Sequence, residues 1–89
     1  MDCIIHVEQR HGRRVVRIAG TFSAGNVHDL LNACGDDAAT TRVSLRDLVS
    51  IDEVGVATLR LLRRRGYRLT YVGTHLQMRL ARTHYTSPP

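Results

Sequence analysis

Val43-Ser44-Leu45-Arg46-Asp47-Leu48-Val49-Ser50-Ile51-Asp52-Glu53-Val54-Gly55-Val56-Ala57-Thr58-Leu59 is the stretch whose reading decides the fold. Val43-Ser44-Leu45 is short and β-prone and reads as the core of a strand. A loop through Asp47 and Ser50 leads to Asp52, whose carboxylate suits the cap of a helix N-terminus. Glu53 is then favourably placed in the positive first turn. The helix runs from Glu53 to about Arg65 and is stopped by Gly66. Val54, Val56, Ala57, Leu59, Leu61 and Leu62 give it a broad apolar face that implies deep burial, while Arg60, Arg63 and Arg64 fall together on the opposite side.

Toward the C-terminus, Leu69-Thr70-Tyr71-Val72 reads as a further strand. Gly73 comes next, and Thr74-His75-Leu76-Gln77 fits a capping box opening a last helix through Leu76 and Leu80. Thr86-Ser87-Pro88-Pro89 reads as a frayed, flexible tail after a single domain over residues 1–85. Toward the N-terminus, Cys3–Gln9 and Arg14–Ala19 are β-prone runs joined by Arg10-His11-Gly12-Arg13, a hairpin signal. In the second run Val16 and Ile18 alternate with Val15 and Arg17, as in a strand with one buried face. Gly20 is expected to end that strand and Ser23 to cap the first helix. Val27, Leu30, Leu31 and Cys34 recur at helical spacing until Gly35, after which Asp36-Asp37 turn in solvent. The order is ββαβαβα. That predicts an α/β domain with a small mixed or parallel four-stranded sheet and helices packed against it.

At 89 residues the chain is one domain, burying roughly 60–65% of its unfolded surface, with room for a core but not for a deep, separately walled cavity. This favours binding over catalysis. No stretch approaches the ~20 apolar residues of a membrane span, and MDCIIHVEQRHGRR lacks signal-peptide order. The expectation is a cytoplasmic protein without membrane insertion. Cys3 and His6 share one ligand-like spacing, but no second pair completes a metal site. Cys3 and Cys34 therefore read as reduced thiols, Cys34 in the core. His6, His11, His28, His75 and His84 form no ligand cluster. With no paired carboxylates, activated nucleophile or P-loop either, no metal, no cofactor and no enzymatic activity are expected.

The net charge is +5, and all 13 basic residues are Arg. Residues 1–45 balance five Arg against five acids, whereas residues 46–89 carry eight against three and hold the whole excess. A one-sided basic patch suggests an acidic partner, an anionic surface or nucleic acid. Arg60, Arg63 and Arg64, with Arg65 and Arg68, read first as a solvated helix face and second as a site for an acidic protein or lipid headgroups. Few aromatics and no helix-turn-helix or RNA-binding signature argue against specific nucleic-acid recognition.

The run Val43–Leu59 resembles the central signature of STAS domains, which include the anti-sigma factor antagonists and domains of sulfate transporters. In that family a strand with an acid near its end leads through a short loop to Asp-Ser-Ser-Gly, which opens a Leu- and Ala-rich helix. Gly20-Thr21-Phe22-Ser23 resembles the family's Gly-x-Leu-Asp entry to the first helix, and Leu69-Thr70-Tyr71-Val72-Gly73 resembles the strand before its last helix. The resemblance spans about residues 4–82. In the antagonist branch the third residue of Asp-Ser-Ser-Gly is the serine that a partner kinase phosphorylates; here it is Val54. The strand acid aligns with Ser44 and the acid of the first-helix entry with Ser23, so only Asp52 and Gly55 survive of the polar switch. A phosphate at a helix N-terminus is held by free N–H groups and the dipole, and adds about −1.5 to −2 charges that can repel a docked partner. Val54 has no hydroxyl to carry it.

The resemblance implies a non-enzymatic regulatory module of bacterial signal transduction. Its partner surface would be Asp52, Glu53, Val54, Gly55, Thr58 and Ser23, and its partner an anti-sigma factor of the kinase-like type. The alternative is a cytosolic accessory subunit bound to the ATPase of a bacterial phospholipid-trafficking ABC system, or of a sulfate-type transporter. A homodimer stays open. Asp52 either orients a partner or is a plain N-cap. Glu53 either imitates a permanent phosphate or favours the helix dipole. Val54 is either an exposed contact or a core residue, and Thr58 either an alternative phosphoacceptor or an ordinary helix threonine.

Overall fold

In the computed structural model, which describes residues 2–81, the strands are β1 (Cys3–Arg10), β2 (Arg13–Phe22), β3 (Thr41–Ser44), β4 (Leu48–Ile51) and β5 (Arg68–Thr70). The helices are α1 (Val27–Cys34), α2 (Glu53–Arg64) and α3 (Thr74–Ala81), with 3₁₀ turns at Ala24–Asn26 and Ala38–Thr40. One mixed sheet has the order β1-β2-β3-β5, antiparallel between β1 and β2 and parallel elsewhere, while β4 pairs in parallel with the far end of β2. His84 and the tail Thr86–Pro89 lie outside the described residues.

The α/β architecture agrees with the sequence reading, but the sheet has five strands rather than four. The expected loop through Asp47 and Ser50 contains β4. Gly20 does not end β2 either. It sits at φ +88°, where the register with β4 shifts, and the strand resumes through Thr21 and Phe22 to pair with Ser50 and Ile51. A β-carbon on Gly20 would collide with the Asp2 carbonyl, so this position, opposite the extra residue Val49 of β4, needs glycine for space as well as for conformation. β5 stops at Thr70, and Tyr71 takes a left-handed φ of 57° outside it. Helix α3 begins one residue earlier than a Thr74 cap would allow: Gln77 N–H donates to the Gly73 carbonyl at 2.9 Å, so Gly73 holds the capping position.

The β1–β2 hairpin closes as expected, with Arg10 opposite Arg13 and the two linking residues at φ 50° (His11) and 77° (Gly12). Two positive φ values match a type I′ turn, whose twist suits paired strands. Side chains alternate along each strand, so the register assigns every residue to a face. Val16, Ile18 and Val43 are fully buried on one face. There they join Leu30 and Cys34 of α1, Val56, Leu59 and Leu62 of α2, and Leu76 and Leu80 of α3 in one cluster. Each such aliphatic side chain stabilises the fold by about 1.5–3 kcal/mol. All three helices feed this cluster, so they share one side of the sheet.

Helix α2 is less deeply sunk than its composition suggests. Val54 is 49% exposed, Ala57 is exposed and Leu61 only half-buried, while Gly55 and Thr58 are buried in their place. In α1, Leu31 likewise faces outward. Cys34 is core, as expected, and burial pushes its thiol pKa up to about 11 despite the opposing pull of Arg14. It therefore stays protonated at neutral pH.

Candidate functional site

Asp52 organises the entry to α2. Its backbone N–H donates to the Phe22 carbonyl at 3.2 Å, fixing it to the end of β2. One carboxylate oxygen, Oδ1, accepts the Gly55 N–H at 2.7 Å, the N-cap bond read from the sequence. The other, Oδ2, accepts the Ala24 N–H at 3.0 Å, at the start of the turn leading into α1. One carboxylate thus clamps two helix entries that lie 28 residues apart in the chain. These bonds, first Gly55 and then Ala24, hold its pKa below the ordinary carboxylate value.

Around the clamp, the other sequence-derived site residues take distinct roles. Ser23 is half-buried, and its N–H and hydroxyl both donate to Asn26 Oδ1, at 3.1 and 3.2 Å. Glu53 is paired with Arg79 at 2.7 Å, and Arg79 also donates to the Ile51 carbonyl at 3.2 Å. Gly55 is a packing residue: a β-carbon there would lie 2.6 Å from Ile51 Cγ1 and 2.9 Å from the Phe22 ring. Thr58 is 6% exposed, and its hydroxyl donates back to the Val54 carbonyl at 2.8 Å. Among the named residues, Val54 is the apolar one left to solvent.

The basic cluster of α2 divides. Arg60 is not part of a free Arg60–Arg63–Arg64 face: its Nε and Nη2 donate to the Leu80 and Arg79 carbonyls, at 3.2 and 2.6 Å. It closes the end of α3, where a cation also meets the negative pole of the helix. Arg14 does the same for α1 through the Ala33 carbonyl at 3.1 Å. Arg63 and Arg64 are exposed. Among the described residues no group of three or more His, Cys, Asp or Glu side chains is placed to hold a metal ion, and no helix is long and apolar enough to cross a membrane.

Two surface features were not read from the sequence. The first is a groove of about 400 Å³ bordered by β4, the Tyr71 turn and α3, with Val49, Ile51, Tyr71, His75, Leu76 and Arg79 among its walls. Val49 and Tyr71 on its rim are 65% and 66% exposed, and Met78 of α3 is 61% exposed. The signal was present in Leu48-Val49-Ser50-Ile51, whose β-branched residues mark a strand, but the stretch is short. The second is the sheet face turned away from the helices. Register places Glu8, Val15, Arg42 and Arg68 in one row across it and His6, Arg17, Ser44 and Thr70 in the next.

No family model matches the chain, and no curated protein does. Among solved structures, the chain is similar to the one described as "Crystal Structure Analysis of Mglu", with 24% identity and a TM-score of 0.55. The likeness covers 72% of this chain and 18% of that one, so this chain spans less than a fifth of the neighbour's length. At that identity the likeness is one of fold alone: a small α/β unit with a mixed sheet.

Proposed function

We propose that this chain is a STAS-type interaction module that docks a partner protein at the entry to α2, as a form of the antagonist without its serine switch. The observation that carries this reading is Val54, 49% exposed immediately behind the Asp52 cap. An aliphatic side chain held out on a rigid, clamped helix start is an anchor for binding rather than for chemistry. Binding rather than turnover also suits Asp52, because both of its oxygens already accept backbone N–H groups and its lowered pKa makes it a weak base. With valine at the acceptor position, docking would be regulated by abundance rather than by phosphate at this site.

The test has two stages. Protein recovered from source-cell extract on the immobilised chain would be purified, and its affinity measured by calorimetry for wild type and for Val54→Asp. The expected result is a loss of at least about tenfold on introducing a buried charge at the contact, with the melting temperature of the free domain unchanged. An unchanged affinity would remove the α2 entry from the interface. A recovered kinase-like anti-sigma protein would assign the antagonist branch, and a transporter ATPase the accessory-subunit branch.

A further inference from the structure

The sheet face opposite the helices gathers six arginines. Arg10 and Arg13 face one another across the hairpin end, and Arg17, Arg42 and Arg68 occupy the same face on β2, β3 and β5. Arg46, just beyond β3, adjoins them: a shallow hollow of about 440 Å³ is walled by Arg10, Arg17, Arg42 and Arg46, with Ser44 and Thr70 among its lining. A second hollow of about 390 Å³ shares Arg42 and extends the surface to Arg13 and Arg68. Against these six arginines the strand rows place one acid, Glu8. Among the described residues, the salt bridge of the fold is Arg79–Glu53 on the other side of the sheet, so none of the six is neutralised by a described carboxylate.

Tyr71 stands at the border of this face. It is 66% exposed, has its ring 5.7 Å from the Arg46 guanidinium carbon, and lines both the basic hollow and the apolar groove. Its backbone is left-handed, φ 57°, which is rare for a bulky side chain and costs conformational energy. The strain presents an aromatic face to solvent instead of ending the strand with an ordinary turn.

We propose that this open face binds single-stranded nucleic acid without sequence preference, phosphates lying over Arg17, Arg42, Arg46 and Arg68 and a base stacking on Tyr71. Charge complementarity and geometry decide the occupant. Strand pairing sets Arg42 beside Arg68 at about 4.8 Å, with Arg17 in the next row, and the planar guanidinium matches phosphate oxygens in pairs. A polyphosphate chain gains further by releasing its condensed counterions, a gain that a sparsely acidic peptide lacks. An exposed aromatic bordering a basic surface, with arginines able to stack as well, is the arrangement by which single strands are held without base readout. The site is independent of partner docking at α2.

The test is fluorescence anisotropy of the purified domain with a labelled oligouridylate of about 15 nucleotides, titrated over salt. Three to four neutralised phosphates predict a slope of log K against log salt of about −2 to −3. Arg17→Glu with Arg42→Glu is expected to weaken binding by about tenfold or more and flatten that slope. Arg63→Glu with Arg64→Glu, the same charge change on exposed α2 arginines, is expected to change it by less than about twofold, the charges being screened beyond roughly 8–10 Å. Tyr71→Phe should keep the affinity, while Tyr71→Ala should lower it about tenfold through lost stacking. Circular dichroism melts on every variant keep folding separate from binding. No binding at about 50 mM salt, or an equal loss from the two arginine pairs, overturns the proposal. So does tighter binding of polyglutamate or of phosphatidylglycerol vesicles than of the oligonucleotide, which would make the face a site for acidic polypeptide or for membrane.

Discussion

The two faces of the sheet carry opposite chemistry on the same strands. Val16, Ile18 and Val43 are fully buried beneath the helices, whereas Arg17 is exposed, Val15 and Arg42 are half-buried, and Ser44 on that face is covered without any helix above it. A one-residue step along β2 or β3 moves from a dry aliphatic core to a basic surface. Burial therefore fixes the register: a slip by one residue would drive Arg17 and Arg42 under the helices, where an unpaired charge costs several kcal/mol. The covered face holds the fold together, and the open face contributes little to stability and is free to serve contacts.

The largest effect should come from the covered face at its far end. Phe22 is fully buried, and its ring lies directly beneath Gly55 of α2. Phe22→Ala is expected to cost about 3–5 kcal/mol, a large share of the roughly 5–15 kcal/mol typical of a domain. Arg17→Ala on the open face should stay within about 0.5 kcal/mol. Urea denaturation of both variants measures the contrast. A comparable loss from Arg17→Ala would show that the open face is structural after all.

A pair of glycines sharpens the division. An exposed helical Gly→Ala change normally gains up to about 1 kcal/mol, but Gly55 has the Phe22 ring, the Phe22 carbonyl and Ile51 within 3.1 Å of a new β-carbon. None of these is the free end of a flexible chain, so overpacking wins and Gly55→Ala should lose about 1–2 kcal/mol net. At Gly25, in the turn before α1, a β-carbon meets nothing within 4 Å, and Gly25→Ala should be neutral or stabilising by up to about 1 kcal/mol. Chemical denaturation reads both. A stabilised Gly55→Ala would mean that α2 sits further from β2 than the contacts show.

The covered face was largely legible in the sequence. Val16 and Ile18 declared it by alternation, Leu30 and Cys34 by helical spacing, and Asp52 by cap chemistry, all local signals. The missing pieces are non-local. β4 pairs because β2 continues past Gly20, so that Thr21 and Phe22 reach partners 29 residues on with Val49 as the extra residue, and its four residues carry no burial pattern strong enough to announce a strand. The arginines mislead for a related reason. Arg14, Arg60 and Arg79 donate to main-chain carbonyls, and nothing in the letter Arg distinguishes them from the exposed ones. The apparent charge imbalance also dissolves in three dimensions: Arg10, Arg13, Arg17 and Arg42 from the balanced first half join Arg46 and Arg68 from the second on the open face. The candidate site was legible at Asp52, whose second bond to Ala24 depends on tertiary placement. The groove behind β4 was not legible, since it needs β4 itself.

Asp52 tests where the two faces meet, at the seam that joins β2, α1 and α2. Asp52→Ala removes both carboxylate bonds and is expected to lower the melting temperature at pH 7 by roughly 4–8 °C. The pH dependence has a definite sign. The folded-state pKa lies below the ordinary carboxylate value, so the contribution is present above the unfolded pKa and is lost as pH falls through the folded value. Wild type and Asp52→Ala should therefore converge on acidification below about pH 4. A gap of constant size from pH 7 to strongly acidic solution would mean that the clamp acts through shape rather than charge.

The smallest expected effect on stability is also the most informative about function. Val54 lies in the first turn of α2 and is half exposed, so Val54→Asp removes little packing and adds a negative charge where the helix dipole favours one. The two contributions nearly cancel, and thermal melts should change by no more than about 0.5 kcal/mol. If Val54→Asp instead unfolded the domain, the side chain would be part of the covered core and the docking reading would lose its anchor. If the domain stays folded while the partner dissociates, the same substitution separates the two roles. Stability would then rest on Phe22 beneath the helix and Gly55 on its inner side, and recognition on Val54, the valine that α2 leaves outside.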